Sequence, residues 1–209
     1  MSTTARLILA SESPRRRELL DAVGIPFRVI PSGVDETPRR GELPARFARR
    51  AARDKGMWVA ARHPGSFVLS ADTIVVAGGR ILGKPRDRSE ARRMLSLLAG
   101  REHRVYTAVS LLCAARGFDD SGIEVSRVRF RALTPAEIAG YARTGECDDK
   151  AGAYAAQGAG MLLIERVAGS FTNVVGLPMT RVVAMLQRAR LIRVAPKGPS
   201  WYAPAGAKG

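Results

Sequence analysis

Apolar and polar positions alternate along this chain with two periods, and together they predict a β-α-β opening followed by further strands and helices. A continuous apolar run at 6–10 (RLILA) has the form of a strand buried on both faces and leads into a helix over 14–23. FRVI (27–30) reads as a second strand, residues 44–62 as a helix, and FVLSADTIVV (67–76) as the clearest strand of the chain. After a turn at Gly78-Gly79, residues 87–99 place Ala91, Met94, Leu95 and Leu98 on one helical face. Two long strands, 103–115 and 123–133, form a hairpin with RGFDDSG as the turn. TPAEIAGYARTG (134–145) carries a Thr cap, a proline and Glu137 three residues beyond the cap, then ends at Gly145, as a helix should. A strand at 161–167 and a helix at 178–190 complete a single α/β domain over 1–195, and the Pro-, Gly- and Ala-rich stretch 196–209 is expected to be a disordered tail.

Charge changes this picture more than composition does. The chain has 34 Lys and Arg against 19 Asp and Glu, a formal net charge of +15, so its partners are polyanions: nucleic acid, anionic membrane or phosphorylated small molecules. Its 46% hydrophobic content suffices for a full core, but no apolar stretch approaches the roughly 18 residues of a membrane span. The N-terminal apolar run is too short for a signal peptide, and two cysteines, Cys113 and Cys147, make no disulfide framework. A soluble, cytoplasmic protein is the expectation.

The basic residues cluster where a phosphate would sit. Ser13 and Pro14 read as the cap and first residue of the opening helix, yet Arg15, Arg16 and Arg17 follow at once. A cation at this end of a helix costs about 0.3–1 kcal/mol, and a bound anion reverses the sign. Ser11, Arg15 and Arg16 are therefore candidates for phosphate binding. GGRILGKP (78–85) has P-loop spacing, but Pro85 stands where a Ser or Thr is required, so the P-loop reading fails and Lys84 is left as a point charge on a stiff turn.

Asp72 lies in a strand that is otherwise apolar, a costly place for a carboxylate without a partner, a metal or an open cleft. Asp35 and Glu36 form a second acidic group, and the two groups suit magnesium or manganese, since the chain lacks a His and Cys set for zinc. In DKAGAYAAQGAG (149–160), small residues allow close approach of a ligand to the backbone, with Lys150 beside them and Gln157 offering both a donor and an acceptor to a base edge. GSFTNVVGLP (169–178) holds the only asparagine, Asn173, to which chemistry alone assigns no role.

In this order, LILASESPRRRELL, VDETP, ARDKG, SADTIVV, ILGKP, TGECDDKAGAYAAQG and GSFTNVVGLP closely resemble the Maf family of nucleoside triphosphate pyrophosphatases, over residues 7 to about 190. The resemblance implies an elongated mixed sheet with helices, related to the inosine triphosphatase architecture, with two lobes around a cleft and commonly a homodimer. It implies hydrolysis of a nucleoside triphosphate to monophosphate and pyrophosphate with a divalent cation. Asp72 matches the proton acceptor; Arg15, Thr73 and Gln157 match the positions that mark the dTTP and UTP subgroup; Arg16, Glu36, Lys55, Lys84 and Lys150 match charged motif positions. Gly56 stands where alanine is usual and Ala156 where isoleucine is common, and neither change removes a functional group.

The expected arrangement has Arg15, Arg16, Lys55 and Lys84 on the phosphates and Thr73 and Gln157 on the base, with Ser11 and Lys150 also among the substrate-binding residues. Glu36 and Asp72 hold the metal, and Asp72 is the base toward water. The alternatives are a 7-methyl-GTP pyrophosphatase of the same family, and a non-catalytic nucleotide or nucleic-acid binder that regulates septum formation. Nucleic acid is the poorer partner, because Asp35, Glu36 and Asp72 repel phosphate unless metal is present.

Overall fold

A computed structural model describes residues 7–195 and 202–205. A three-residue strand, β1 (Leu7–Leu9), is followed by α1 (Pro14–Asp21), β2 (Phe27–Val29), α2 (Pro44–Ala60) and β3 (Phe67–Ala77). The middle of the chain holds β4 (Arg80–Leu82), α3 (Arg88–Leu98), β5 (Glu102–Cys113), β6 (Phe118–Phe130) and α4 (Pro135–Arg143). It ends with β7 (Ile164–Ala168), α5 (Phe171–Val175), α6 (Met179–Arg188), β8 (Ile192–Val194) and β9 (Tyr202–Pro204). The fold is mixed α/β, as expected. Its seven-stranded sheet runs in the order β2-β1-β3-β5-β6-β7, with β4 paired antiparallel to β3.

By internal packing the chain falls into two compact units. The first comprises Met1–Asp72, Ala108–Ile123 and Gly176–Gly209, and the second Thr73–Thr107 and Glu124–Val175, so one boundary falls within β3, directly after Asp72.

In the first unit β1 lies parallel to both β2 and β3, with Leu7 opposite Phe27 and Phe67. Successive side chains of a strand point to opposite faces, and here both faces are covered. Leu7 and Leu9 join Leu20 of α1 and Val182, Met185 and Leu186 of α6, while Ile8 and Ala10 meet Val59 and Ala60 of α2. This two-sided burial is the reason for the unbroken apolar run, each fully buried aliphatic side chain contributing about 1.5–3 kcal/mol.

In the second unit α3 packs with α4 and with a short helical turn at Ala151–Ala153. Asp87 caps α3, accepting from Glu90 N at 2.7 Å, and Thr134 with Glu137 forms the expected capping box of α4. His103, Phe130 and Tyr154 make an edge-to-face aromatic cluster with ring centroids 4.8–5.4 Å apart.

Three expectations are corrected. The turn between the two long strands is Ala114–Gly117, with Gly117 left-handed at φ 58°, and most of RGFDDSG belongs to β6. Acidic residues are tolerated in that strand because Asp119 pairs with Arg53 and Asp120 with Arg188, while Phe118 packs edge-on against Phe67. Ser13 occupies the cap position of α1, but its side chain makes no capping bond. In the expected tail, residues 202–204 form β9, antiparallel to β8 with Tyr202 opposite Val194, so this part is ordered by strand pairing. The rest of that tail, 196–201 and 206–209, and Arg6 of the first predicted strand lie outside the described residues.

Candidate active site

In the first unit the predicted charges converge on Lys55. Its Nζ lies 2.8 Å from Asp72 Oδ1 and 2.8 Å from Glu36 Oε2. Lys55 and Asp72 are buried, whereas half of the Glu36 side chain is open to solvent. Close packing of α2 on β3 makes this possible. Ser70 Oγ donates to Ala52 O at 2.6 Å, and a Cβ at Gly56 would stand 2.7 Å from Ser70 Oγ, too close for a side chain. A buried ammonium or carboxylate is tolerable only when paired, and each supplies what the other lacks.

The structure separates the two acidic residues of VDET. Asp35 Oδ1 accepts from Thr37 N at 3.0 Å and from Thr37 Oγ1 at 2.6 Å, so Asp35 builds the turn, and Glu36 is the one that reaches Lys55. Among the described residues no group of three or more His, Cys, Asp and Glu could hold a metal ion. The two carboxylates that do converge are hard oxygen donors. They fit magnesium or manganese in the usual manner of such ions, held by one or two carboxylates together with water and substrate phosphate.

The arginines of α1 have different fates. Arg16 Nε donates to Gly176 O at 2.8 Å, and its Nη1 donates to Ala71 O at 2.9 Å and to Ser11 Oγ at 3.1 Å. Burial is the main cause that lowers its pKa, partly offset by attraction to Asp72 and Glu36. Arg16 thus clasps the β1–α1 turn to β3 and to the entry of α6, in addition to carrying charge near the carboxylates. Ser11 is buried and accepts from both Arg16 and Ser13 N, so it positions the turn. Arg15 is half-buried and Arg17 is exposed.

The second unit holds the other predicted residues, Thr73 among neutral partners and Lys150 beside a carboxylate. Thr73 Oγ1 lies 2.9 Å from Thr107 Oγ1, and Thr107 Oγ1 donates to Asn173 O at 3.0 Å. Gly152 N donates to Gly83 O at 3.0 Å, joining the turn that carries Lys84 to the one that carries Lys150. Gly152 is left-handed at φ 71°, and a Cβ there would meet Val75 Cγ1 at 2.9 Å, so no other residue fits. Lys84 is exposed, and Lys150 is half-buried and paired with Asp149.

Gln157 is half-buried at the start of a 3₁₀ segment, Gly158–Leu163. Glu146 accepts from Ala159 N at 2.9 Å and from Gly160 N at 3.1 Å, and Tyr141 Oη accepts from Ala155 N at 3.0 Å. Sequence reasoning overlooked Glu146, Tyr141 and Thr107 as supports. Glu146 had a signal in the TGEC segment, whereas Thr107 reads only as one polar position in a strand.

A family model described as Maf-like protein matches residues 6–189. Over 185 residues the chain is 51% identical to a protein of Myxococcus xanthus named dTTP/UTP pyrophosphatase, covering 88% of this chain and 93% of that one. A relative in Deinococcus radiodurans bears the same name and is 47% identical over 187 residues, covering 90% of this chain and 94% of its own. Among solved structures, the Staphylococcus aureus Ham1 protein superposes with a TM-score of 0.45 at 15% identity, over 76% of this chain and 79% of that one.

Proposed function

The chain belongs to the Maf-like proteins, and from that premise we propose that it is a nucleotide pyrophosphatase converting dTTP and UTP to the monophosphate and pyrophosphate. The relatives that share about half of its residues carry that activity in their names, which supports the substrate class. The observation that carries the chemistry is the buried Lys55–Asp72 pair with Glu36 beside it.

In this reading Asp72 orients a water and accepts its proton as the water oxygen bonds to the α-phosphorus. The bond from that phosphorus to the bridging oxygen breaks, and pyrophosphate leaves. Lys55 balances the charge of Asp72 and, with Arg15 and Arg16, faces the phosphates; Ser11 holds Arg16 in place. Lys84 and Lys150 supply further cations, and Thr73 and Gln157 read the base. Glu36 and Asp72 would hold magnesium or manganese, which neutralises phosphate charge when bound. The same reading places the protein in the cytoplasm as a homodimer, which sedimentation of the purified chain tests. No helix among the described residues is long and apolar enough to cross a membrane.

Incubation with dTTP, UTP, CTP or 7-methyl-GTP and magnesium or manganese, with the products resolved, tests the assignment. Monophosphate and pyrophosphate from dTTP and UTP are expected. Release of orthophosphate and a diphosphate, or equal turnover of all four nucleotides, contradicts it.

A further inference from the structure

Gln157 stands at the cap position of the 3₁₀ segment Gly158–Leu163, with extended backbone at φ −117° and ψ 169°, yet its side chain makes no capping bond. The residue at such a position ordinarily turns its own side chain back to accept from the second or third amide of the segment. Here both amides are already taken. Glu146 Oε1 accepts from Ala159 N at 2.9 Å and Glu146 Oε2 from Gly160 N at 3.1 Å, one oxygen for each. Hydrogen bonds to an ionised carboxylate are about twice as strong as neutral ones, so Glu146 outcompetes a carboxamide for this place.

Glu146 is itself anchored. Its N donates to Thr144 Oγ1 at 3.2 Å, and Thr144 Oγ1 donates to Tyr141 O at 2.8 Å, which ties the carboxylate to the last turn of α4. A Cβ at Gly158, left-handed at φ 67°, would stand 2.6 Å from Glu146 Oε1, so the carboxylate lies against bare backbone. On the other side of Gln157, Ala155 N donates to Tyr141 Oη at 3.0 Å, and Tyr154 Oη lies 2.8 Å from His103 Nε2 of β5. The chain is therefore held immediately before and immediately after the glutamine, in both cases by α4 or the turn that follows it.

We infer that Glu146 is a positioning residue for base recognition: its carboxylate caps the 3₁₀ segment in place of Gln157 and so spares the Gln157 carboxamide for the nucleotide. Without Glu146 the two amides fall to the side chain at the cap position, which is Gln157 itself. Its oxygen then turns back onto the segment, and the base loses its reader. The phosphates are gripped elsewhere, so their binding does not depend on this contact. The inference rests on the reading that Gln157 meets the base.

The test is the ratio of kcat/KM for UTP to that for ribose 5-triphosphate, which keeps the sugar and phosphates and lacks the base, with pyrophosphate release followed for both. It is measured for the unaltered protein, Glu146→Ala, Gln157→Ala and the double variant. Gln157→Ala should lower the ratio by about tenfold, the effect of one or two base-edge hydrogen bonds. Glu146→Ala should lower it by about fivefold, the weight of one helix cap. Because the first residue acts through the second, the double variant should stay within about twofold of Gln157→Ala alone. Effects that multiply, to about fiftyfold, would show Glu146 acting elsewhere and overturn the inference. A purely structural role for Glu146 would lower both substrates together and leave the ratio alone, which overturns it too, while the base-reading role of Gln157 stands. If Gln157→Ala leaves the ratio unchanged, both fall. Where Glu146→Ala does not fold, Glu146→Met, which fills the same space without an acceptor, takes its place.

Discussion

The two units are held together internally by different physics. In the first, ions meet ions: one buried ammonium serves two carboxylates, and a guanidinium holds backbone carbonyls. In the second, hydroxyls and an amide meet backbone carbonyls and one another at 2.8–3.1 Å. Charge acts strongly with little regard to the donor pattern of its target, which suits a polyphosphate common to all nucleotides. A neutral network is weaker per contact but distinguishes donor from acceptor, which is what separates one base from another.

The comparison breaks most readily at Asp72. Asp72→Asn should still bind nucleotide while turnover falls by about 10²- to 10⁴-fold, read by product formation alongside equilibrium binding. Full activity in that variant would remove Asp72 as the base.

Next in size is the ion pair itself. Lys55→Met strands a buried carboxylate and should cost about 3 kcal/mol or more in urea unfolding, whereas Lys55→Met combined with Asp72→Leu should recover most of that loss. An equal loss in the single and double variants would mean that the pair contributes through packing alone.

The second unit has its own weak point in His103. Burial pushes its imidazole down to about 4, and its Nε2 lies 2.8 Å from Tyr154 Oη. Between pH 6.5 and 4 the unfolded chain binds a proton there that the folded chain does not. Stability should therefore decline as pH falls through that window, by up to about 3 kcal/mol. Below about pH 4.5 Glu42 and Glu137, both held down to about 2 by hydrogen bonds, add a loss of the same sign. Urea unfolding at pH 7, 5.5 and 4.5 separates the two, since only the histidine acts in the upper half of the range. The smallest effect expected is at Asp87→Ala, which removes the cap of α3 and should cost about 1 kcal/mol in the same assay.

Much of the fold was readable because burial leaves a periodic trace. β1 announced itself by apolar residues on both faces, and Asp72 by being a carboxylate in such a setting. α5 left no such trace: it has five residues, and Asn173, not an apolar stripe, joins it to β5 and β6. The start of β6 was misread for a related reason, since Asp119 and Asp120 have the composition of a turn and are made acceptable by arginines 66 and 68 residues away. Arg16 was expected to face a ligand, yet it also holds three protein oxygens, a role invisible without the contact partners. Spacing identifies residue types, but proton direction and charge sharing depend on neighbours distant in the chain.

One consequence follows from β3, where the carboxylate at 72 and the hydroxyl at 73 are consecutive and so project from opposite sides of the strand. The pairing of Phe67 and Leu69 with β1 pins the upstream end of that strand. Inserting or deleting a single residue between 69 and 72 would exchange the two projections and hand each group the surroundings built for the other. Length variation among natural versions of this protein should therefore avoid that three-residue interval, even where the surrounding loops differ freely.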